Sequence, residues 1–280
     1  MTRSSSTLAV LTLTAALAGC GPATTASSPS ASTVATPSPA APASSALPSA
    51  SSAAGSPSAG TSASASPSGS AGALAPIDPA NFTTTIDNAW FPLIPGTTFT
   101  YRGVKDGEKA VDVYTVTDET KLIDGVTCVV VDDRLTLDGT LAEKTSDYYV
   151  QDLAGNVWYF GEDTAELEDG KVKSREGTWH AGVDGAQAGI FMEADPVVGH
   201  AYAQEYYKGH AEDHFEVETL TDTVKVPLGS FTGVLRTKEW TPLEPDVLDA
   251  KYYVKGVGEV KEATIKGDPE RLELVKVDRP

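Results

Sequence analysis

Apolar and polar side chains alternate with a period of two through most of the chain beyond Pro76. Runs such as "AVDVYTVTD", "KSREGTWHA" and "AKYYVKG" are separated by Gly, Asp, Asn and Pro clusters at hairpin spacing. A period of two places successive side chains on opposite faces of a strand. The pattern therefore predicts an all-β domain, an antiparallel meander. In "AVDVYTVTD" it predicts Val111, Val113 and Thr115 on the core face and Asp112 on the other. "DTAELEDGK" is the one stretch with a weak helical turn.

The same pattern is written twice. "VYTVTDETKLIDGVTCVV" begins at Val113 and "VETLTDTVKVPLGSFTGV" at Val217. Thr117-Asp118, Gly125 and Tyr148-Tyr149-Val150 recur 104 residues later as Thr221-Asp222, Gly229 and Tyr252-Tyr253-Val254. Gly96 and Gly199 lie 103 apart. A spacing held this far along the chain predicts two similar halves, about 88–180 and 190–280. A one-residue slip would turn a core face toward water, so strand parity should be shared. Two such halves fit one barrel of about ten to twelve strands, or two facing sheets, and one continuous barrel-like domain over 76–280 is favoured.

The first 75 residues follow another logic. Arg3 is a positive start, Leu8 to Leu17 an apolar stretch diluted by Thr and Ala, and Ala18-Gly19 small residues before Cys20. Residues 1–19 thus have the three parts of an export signal, with an apolar run too short for the roughly 20 residues that span a bilayer. Residues 20–75 hold Ala, Ser, Pro, Thr and Gly almost exclusively. With nothing to bury, this stretch is expected to be a disordered linker. A coil of that length averages roughly 40 Å end to end and reaches about 180 Å fully extended.

Leu17-Ala18-Gly19-Cys20 resembles the lipobox of bacterial lipoproteins. The resemblance implies a diacylglyceryl group on the Cys20 sulfur and cleavage that makes Cys20 the first residue. Two acyl chains, at about 0.8 kcal/mol per buried methylene, hold a protein stably to a membrane. The implied location is the extracytoplasmic face of the cell membrane. Farther along, "AWFPLIPGTTFTY" and "VPLGSFTGVLRT" with "KYYVKGVGEVKEAT" resemble a pattern of uncharacterised secreted bacterial β-proteins. That likeness covers most of 88–280 and transfers no activity. Its distant look-alikes include open barrels that carry lipids, which is an analogy of fold.

Charge narrows the partners. Arg3 is the one charged side chain before Asp78, so the domain carries 20 basic and all 39 acidic residues. Such a surface repels nucleic acid and anionic head groups. Nucleic acid is excluded as a partner, and the membrane is reached through the lipid alone. With Cys20 lipidated, Cys128 in "VTCVVVDD" has no disulfide partner and reads as a small buried hydrophobe.

Candidate chemistry is sparse. His210, Glu212 and His214 alternate in "KGHAEDHFEVE". On a strand the two histidines stand about 13 Å apart, beyond a shared metal, and only a turn over Gly209–Asp213 would join them. Asp152, Asn156, Glu162 and Asp163 offer oxygens for calcium, although Asp-x-x-Gly-Asn is also ordinary turn chemistry. No Gly-x-Ser-x-Gly elbow occurs, since "GSFTG" has its serine one place early. Phosphate-cradling loops are absent, and no pair of acids stands out for glycoside cleavage. Aromatics come as adjacent pairs (Trp90-Phe91, Tyr148-Tyr149, Trp158-Tyr159, Tyr206-Tyr207, Tyr252-Tyr253), one member facing in and one out. Tyr148, Trp158 and Tyr252 are the ligand-binding candidates.

The sequence thus points to a non-enzymatic envelope lipoprotein with no cofactor and no assigned catalytic residue. Its module is expected to bind a small hydrophobic ligand or an exported protein. The rivals are a cell-wall or extracellular hydrolase and an extracellular metal-binding module.

Overall fold

Asp-Gly pairs set the rhythm of the domain. Both φ angles are positive at Asp106-Gly107 (53° and 74°), Asp124-Gly125 (46° and 79°), Asp138-Gly139 (46° and 87°) and Asp169-Gly170 (52° and 73°). That is the type I′ geometry of two-residue hairpins, whose twist matches that of the flanking strands. Each pair turns one strand into the next.

The computed structural model describes residues 77–280, and the predicted signal, Cys20 and the linker lie outside the described residues. A 3₁₀ turn at Pro79–Asn81 precedes β1 (Phe82–Thr83), β2 (Thr98–Lys105), β3 (Glu108–Ile123) and β4 (Val126–Leu137). β5 (Thr140–Asp152), β6 (Val157–Glu168), β7 (Lys171–Ser174), β8 (Trp179–His180) and β9 (Gln187–Met192) follow. The chain continues through β10 (Ala201–Ala203), β11 (Glu205–Tyr206), β12 (His214–Val226) and β13 (Gly229–Trp240). It ends with β14 (Leu248–Val254), β15 (Gly258–Lys266) and β16 (Arg271–Asp278).

All pairings are antiparallel and form one sheet in the order β10-β12-β13-β14-β15-β16-β2-β3-β4-β5-β6-β9-β11. β1 adds to β5, and β7 and β8 add to β6. The two ends of that order, β10 and β11, are separated in the chain by Gln204 alone. Its N–H donates to Asp213 O at 2.8 Å, and its Nε2 donates to Phe191 O at 3.2 Å. The sheet is therefore a nearly closed barrel whose seam is one residue of backbone. This is the all-β, barrel-like domain expected, with thirteen strands along the path rather than ten to twelve.

Two five-stranded meanders, β2–β6 and β10 with β12–β15, run around the ring, and β16 joins them. Around Gly96, its N–H donates to Val116 O (2.8 Å) and Val116 N–H to Thr97 O (2.9 Å). Around Gly199 the same pattern uses Val217 and His200 (2.8 and 3.0 Å). Here Val116 matches Val217, so a constant spacing of 104 misplaces the β3 face. Ala110, Asp112, Tyr114 and Val116 are buried, whereas Val111, Val113 and Thr115 are half-buried. The expected core face of β3 is thus corrected. Bulges after Val116 and Val217 change the count before the tyrosine pairs are reached, and there Tyr149 and Tyr253 are both fully buried.

One end of the barrel is plugged by the segment before β2. Trp90, Phe91 and Leu93 are buried, and Phe91 packs against Tyr149 (5.5 Å between ring centres) and Phe191 (4.6 Å). Asn88 pins the plug. Its Nδ2 donates to Gly155 O (2.9 Å) and Glu193 O (3.1 Å), and its Oδ1 accepts from Trp90 N (2.8 Å) and Phe91 N (3.1 Å). Gln151 holds the same turn from β5 by accepting from the N–H groups of Asp87 and Asn88. Cys128 is fully buried and unpaired, and burial pushes its thiol up to about 12, as an inert core side chain requires.

Asn88→Ala leaves two carbonyls and two N–H groups at the plug without their partners. The two N–H groups are the buried ones, each orphaned at a cost of about 1–3 kcal/mol, so at about 2–4 °C per kcal/mol the melting temperature should fall by roughly 5–20 °C. Differential scanning fluorimetry of the two proteins side by side measures this, and an unchanged midpoint means the plug is not held by Asn88.

Candidate functional site

Strands β2 to β6 run from the plugged end to an end shaped by three of the Asp-Gly turns: 106–107, 138–139 and 169–170. Between these hairpins lies a cavity of about 580 Å³, within the range of small-ligand sites. Lys105 and Glu143 reach it from β2 and β5, with Leu135 and Leu137 from β4 and Glu166 and Leu167 from β6. Asp106, Glu108, Glu168 and Asp169 rim it, beside Lys173, which pairs with Glu168 at 3.8 Å. Acids outnumber ammonium groups there, with aliphatic walls between them.

Two of the lining side chains are deeply placed. Lys105 is 2% exposed and Glu143 5%. Lys105 lies in the electrostatic field of Glu143, Asp112, Asp249, Glu262 and Glu270. Glu143 stands directly across from Glu166 on the neighbouring strand, a like-charge pair that destabilises a sheet unless a cation intervenes. Burial pushes the Glu143 carboxyl up, against the opposing charge of Lys105 and with smaller contributions from Asp112 and then Glu166.

Behind the cavity the interior is strongly acidic. Asp112, Asp133, Glu143, Asp147, Glu162, Glu205, Asp213, Glu239, Asp249, Glu259 and Glu262 are buried, against Lys105 and Lys251. Lys251 meets Glu239 at 2.9 Å. Both oxygens of Asp112, Glu205 and Glu259 lack a well-formed hydrogen bond to protein. Burial raises Asp112, and burial together with the Asp112 charge raises Asp133 well above the usual carboxylate range. Burial brings Asp147 to about 7 and Glu262 to about 8. Sequence reasoning placed Asp112 on the outside, and the buried acids were missed with it.

The residues singled out from the sequence lie elsewhere. Asp152 closes the β5–β6 turn: its Oδ1 accepts from Ala154 N and Asn156 N, and its Oδ2 from Asn156 Nδ2 and Trp158 Nε1, all at 2.8–2.9 Å. Asn156 Oδ1 accepts from Ala194 N. His210 stacks on Tyr207 at 4.4 Å, Glu212 caps Gly209 N, and His214 stacks on Trp240 at 5.4 Å. Among the described residues no group of three or more His, Cys, Asp or Glu side chains is arranged to hold a metal ion. Trp158 and Tyr252 are half-buried on the outer face, and Trp158 packs edge-on against Phe82 at 5.8 Å.

Tyr148, expected to face outward, is buried like Tyr149, as Trp90 is beside Phe91, and it belongs to a polar knot that covers it. Its hydroxyl donates to Asp163 Oδ2 at 2.6 Å. Lys121 Nζ reaches the same oxygen at 2.6 Å, and His180 Nε2 lies 3.2 Å from Oδ1. The four groups satisfy one another. Asp163 is held below the ordinary range because hydrogen bonds from Lys121 and Tyr148 outweigh its partial burial. His180 and Lys121 carried no sequence signal, since they meet only through the pairing of β3 to β6 across β4 and β5 and of β8 with β6.

No protein-family model matches the chain, and no curated protein matches it. Solved structures do. A Bacteroides fragilis protein described as exported, with a YmcC-like fold, is 15% identical, with a TM-score of 0.40 over 68% of this chain and 99% of its own. A Parabacteroides distasonis protein described as a lipoprotein is 14% identical, with a TM-score of 0.37 over 67% and 97%. At these values the likeness assigns neither a residue nor a reaction.

The buried acids fix the sign of the pH dependence. A carboxyl whose folded pKa exceeds its unfolded value, about 4 for Asp and Glu, holds its proton more tightly in the native state. The stability this represents is complete below about pH 4 and is lost as pH rises through the folded values of Asp147 and Glu262. Melting temperature should therefore fall steadily from pH 5 to pH 8.5 in buffers of equal ionic strength. A midpoint that rises or stays level over that interval contradicts the protonated interior.

Proposed function

We propose that this chain is an extracytoplasmic lipoprotein held to the membrane through a diacylated Cys20, and that its β domain is a non-catalytic binding module. The anchor reading is supported by the Leu17-Ala18-Gly19-Cys20 motif and by the uncharged run that follows it. No helix among the described residues is long and apolar enough to cross a membrane. The binding reading is carried by one observation: a cavity of about 580 Å³ backed by the buried Lys105 and Glu143. Ligand polarity follows from its walls. Leucines alone would favour the hydrophobic ligand expected from the sequence, but an ammonium and several carboxylates share the cavity with them. A small amphipathic ligand with polar ends fits better.

The hydrolase reading has one feature to offer, the Glu143–Glu166 pair. These two project side by side from adjacent strands, on one face of one sheet. Glycoside cleavage needs its two carboxyls flanking the scissile bond. A pair that approaches a substrate from one side suits binding a cationic group instead.

Mass spectrometry of the full chain purified from its own host tests both parts. Under denaturing conditions the polypeptide should begin at Cys20 with a diacylglyceryl mass on its sulfur. Under native conditions it should carry an additional small molecule that is lost on unfolding. A different first residue or a free thiol overturns the anchor, and a native mass equal to the processed chain overturns the binding module.

A further inference from the structure

What sets the cavity at the Asp-Gly end apart from the acidic surface around it is its wall. Leu135, Leu137, Leu141 and Leu167 line a volume of about 580 Å³, and covering them is favourable only for a ligand with an apolar part. Glu143 and Glu166 lie in the same wall, directly opposite each other on adjacent strands. The buried ammonium at the cavity is already shared. Lys105 acts on Asp106 and Glu143 beside the cavity and on Asp112, Asp249, Glu262 and Glu270 behind it. Even with that ammonium close by, burial keeps the Glu143 carboxyl raised. Lys173 stands at the rim and pairs with Glu168 at 3.8 Å. A ligand entering here meets surplus negative charge against an aliphatic wall.

Four kinds of small molecule fare differently in such a place. An anion, or the carboxylate of a zwitterion, faces more acids than ammonium groups, and Lys105 already serves several carboxyls. A neutral apolar molecule would cover the leucines but strip water from the glutamates without replacing it. A bare calcium ion takes about six to eight oxygen ligands, and among the described residues no group of three or more His, Cys, Asp or Glu side chains is arranged to hold a metal. An organic ammonium ion relieves the like-charge pair and covers the leucines with its chain.

We infer that this cavity is a binding site for a primary alkylammonium ion, its charge between Glu143 and Glu166 and its aliphatic chain against Leu135, Leu141 and Leu167. The inference rests on the binding-module reading and narrows its ligand from an amphipathic molecule to an organic cation.

Isothermal titration of the full chain, purified from its host, dialysed and kept in detergent, tests this with three probes, each corrected for its heat in the detergent buffer alone. Hexylammonium carries the charge and the chain, ethylammonium the charge with little chain, and heptanoate the same chain with the charge reversed. Hexylammonium should bind at least about tenfold more tightly than ethylammonium, since each buried methylene contributes up to about fourfold. It should exceed heptanoate by at least about tenfold as well, since only the cation gains charge-assisted contacts with the glutamates. Glu166→Gln should weaken hexylammonium about tenfold or more, and Leu167→Ser should shrink its advantage over ethylammonium. Should either variant fail to fold, the three probes on the unaltered protein still decide. Heptanoate binding as tightly as hexylammonium overturns the inference. Ethylammonium matching hexylammonium overturns it too, because that is the behaviour of acids without a cavity. So does an unchanged affinity in a folded Glu166→Gln protein, or no hexylammonium binding at about 10 mM. If the host-purified protein nevertheless carries a small molecule in native mass spectrometry, the binding module stands and only this ligand class falls.

Discussion

Two ammonium groups share the interior of this barrel with eleven carboxyls, and the rest of the structure has to accommodate that imbalance. Ionising them all in a dry interior is prohibitive, because moving a carboxylate-sized charge out of water costs several kcal/mol even after relaxation. The protein answers in three ways. Lys251 sits against Glu239 and electrostatically against Glu259 and Glu262. Asp147 accepts from the Tyr159 hydroxyl at 2.7 Å. Burial raises Asp133, Glu205 and Glu259 well above the ordinary carboxylate range and Glu262 to about 8, so at these groups protons serve as the missing counter-charges. The interior is thus a store of protons as well as a core, and its packing is tied to the pH outside.

Closure explains how such an interior persists. An open sheet would let water reach the acids and would expose backbone at both edges. Here the chain crosses from one end of the strand order to the other through Gln204, whose backbone and side chain each bond to a different neighbour. The segment from Ile86 to Leu93 seals one mouth with aromatic rings, and Asn88 and Gln151 satisfy its backbone. The other mouth has tight two-residue turns and no plug. It is at this Asp-Gly end that the buried Lys105 and Glu143 meet the cavity.

Much of the architecture was legible in the sequence because turns and alternation are local. Asp-Gly between apolar runs favours a type I′ turn, and five Asp-Gly pairs among the described residues have both φ angles positive, four of them joining successive strands. The inward Tyr149, Tyr159 and Tyr253 and the buried Cys128 also followed from alternation. The face of β3 did not, for a physical reason. Its two faces read Ala110, Asp112, Tyr114, Val116 and Val111, Val113, Thr115, and each is mostly apolar with one polar residue. Hydropathy then favours the wrong set, because it assigns Asp112 to water. Alternation gives the period of a strand but not its phase when the core itself is polar. The cavity was illegible for the same reason, since Lys105, Glu143 and Glu166 look like solvent-facing charges until the strands are folded into a ring.

Phase and chemistry are linked more deeply than by the accident of one strand. A barrel lined by leucines and valines would be more stable, since replacing buried charges with apolar groups of similar volume is often neutral or favourable. Retaining eleven buried acids means this fold forgoes that gain. Acids confined to one hairpin could be dismissed as local strain, but these come from β3, β4, β5, β6, β11, β13, β14 and β15 as well as the loop before β12. Lys105 is within electrostatic reach of acids from both meanders, Asp112 and Glu143 on one side and Asp249 and Glu262 on the other. A change at the cavity that alters the charge beside Lys105 is therefore felt across the ring, and protonation of the interior is felt at the cavity. Reciprocity is unavoidable in such an arrangement, because two sites that share an electrostatic neighbour must influence each other's free energies equally.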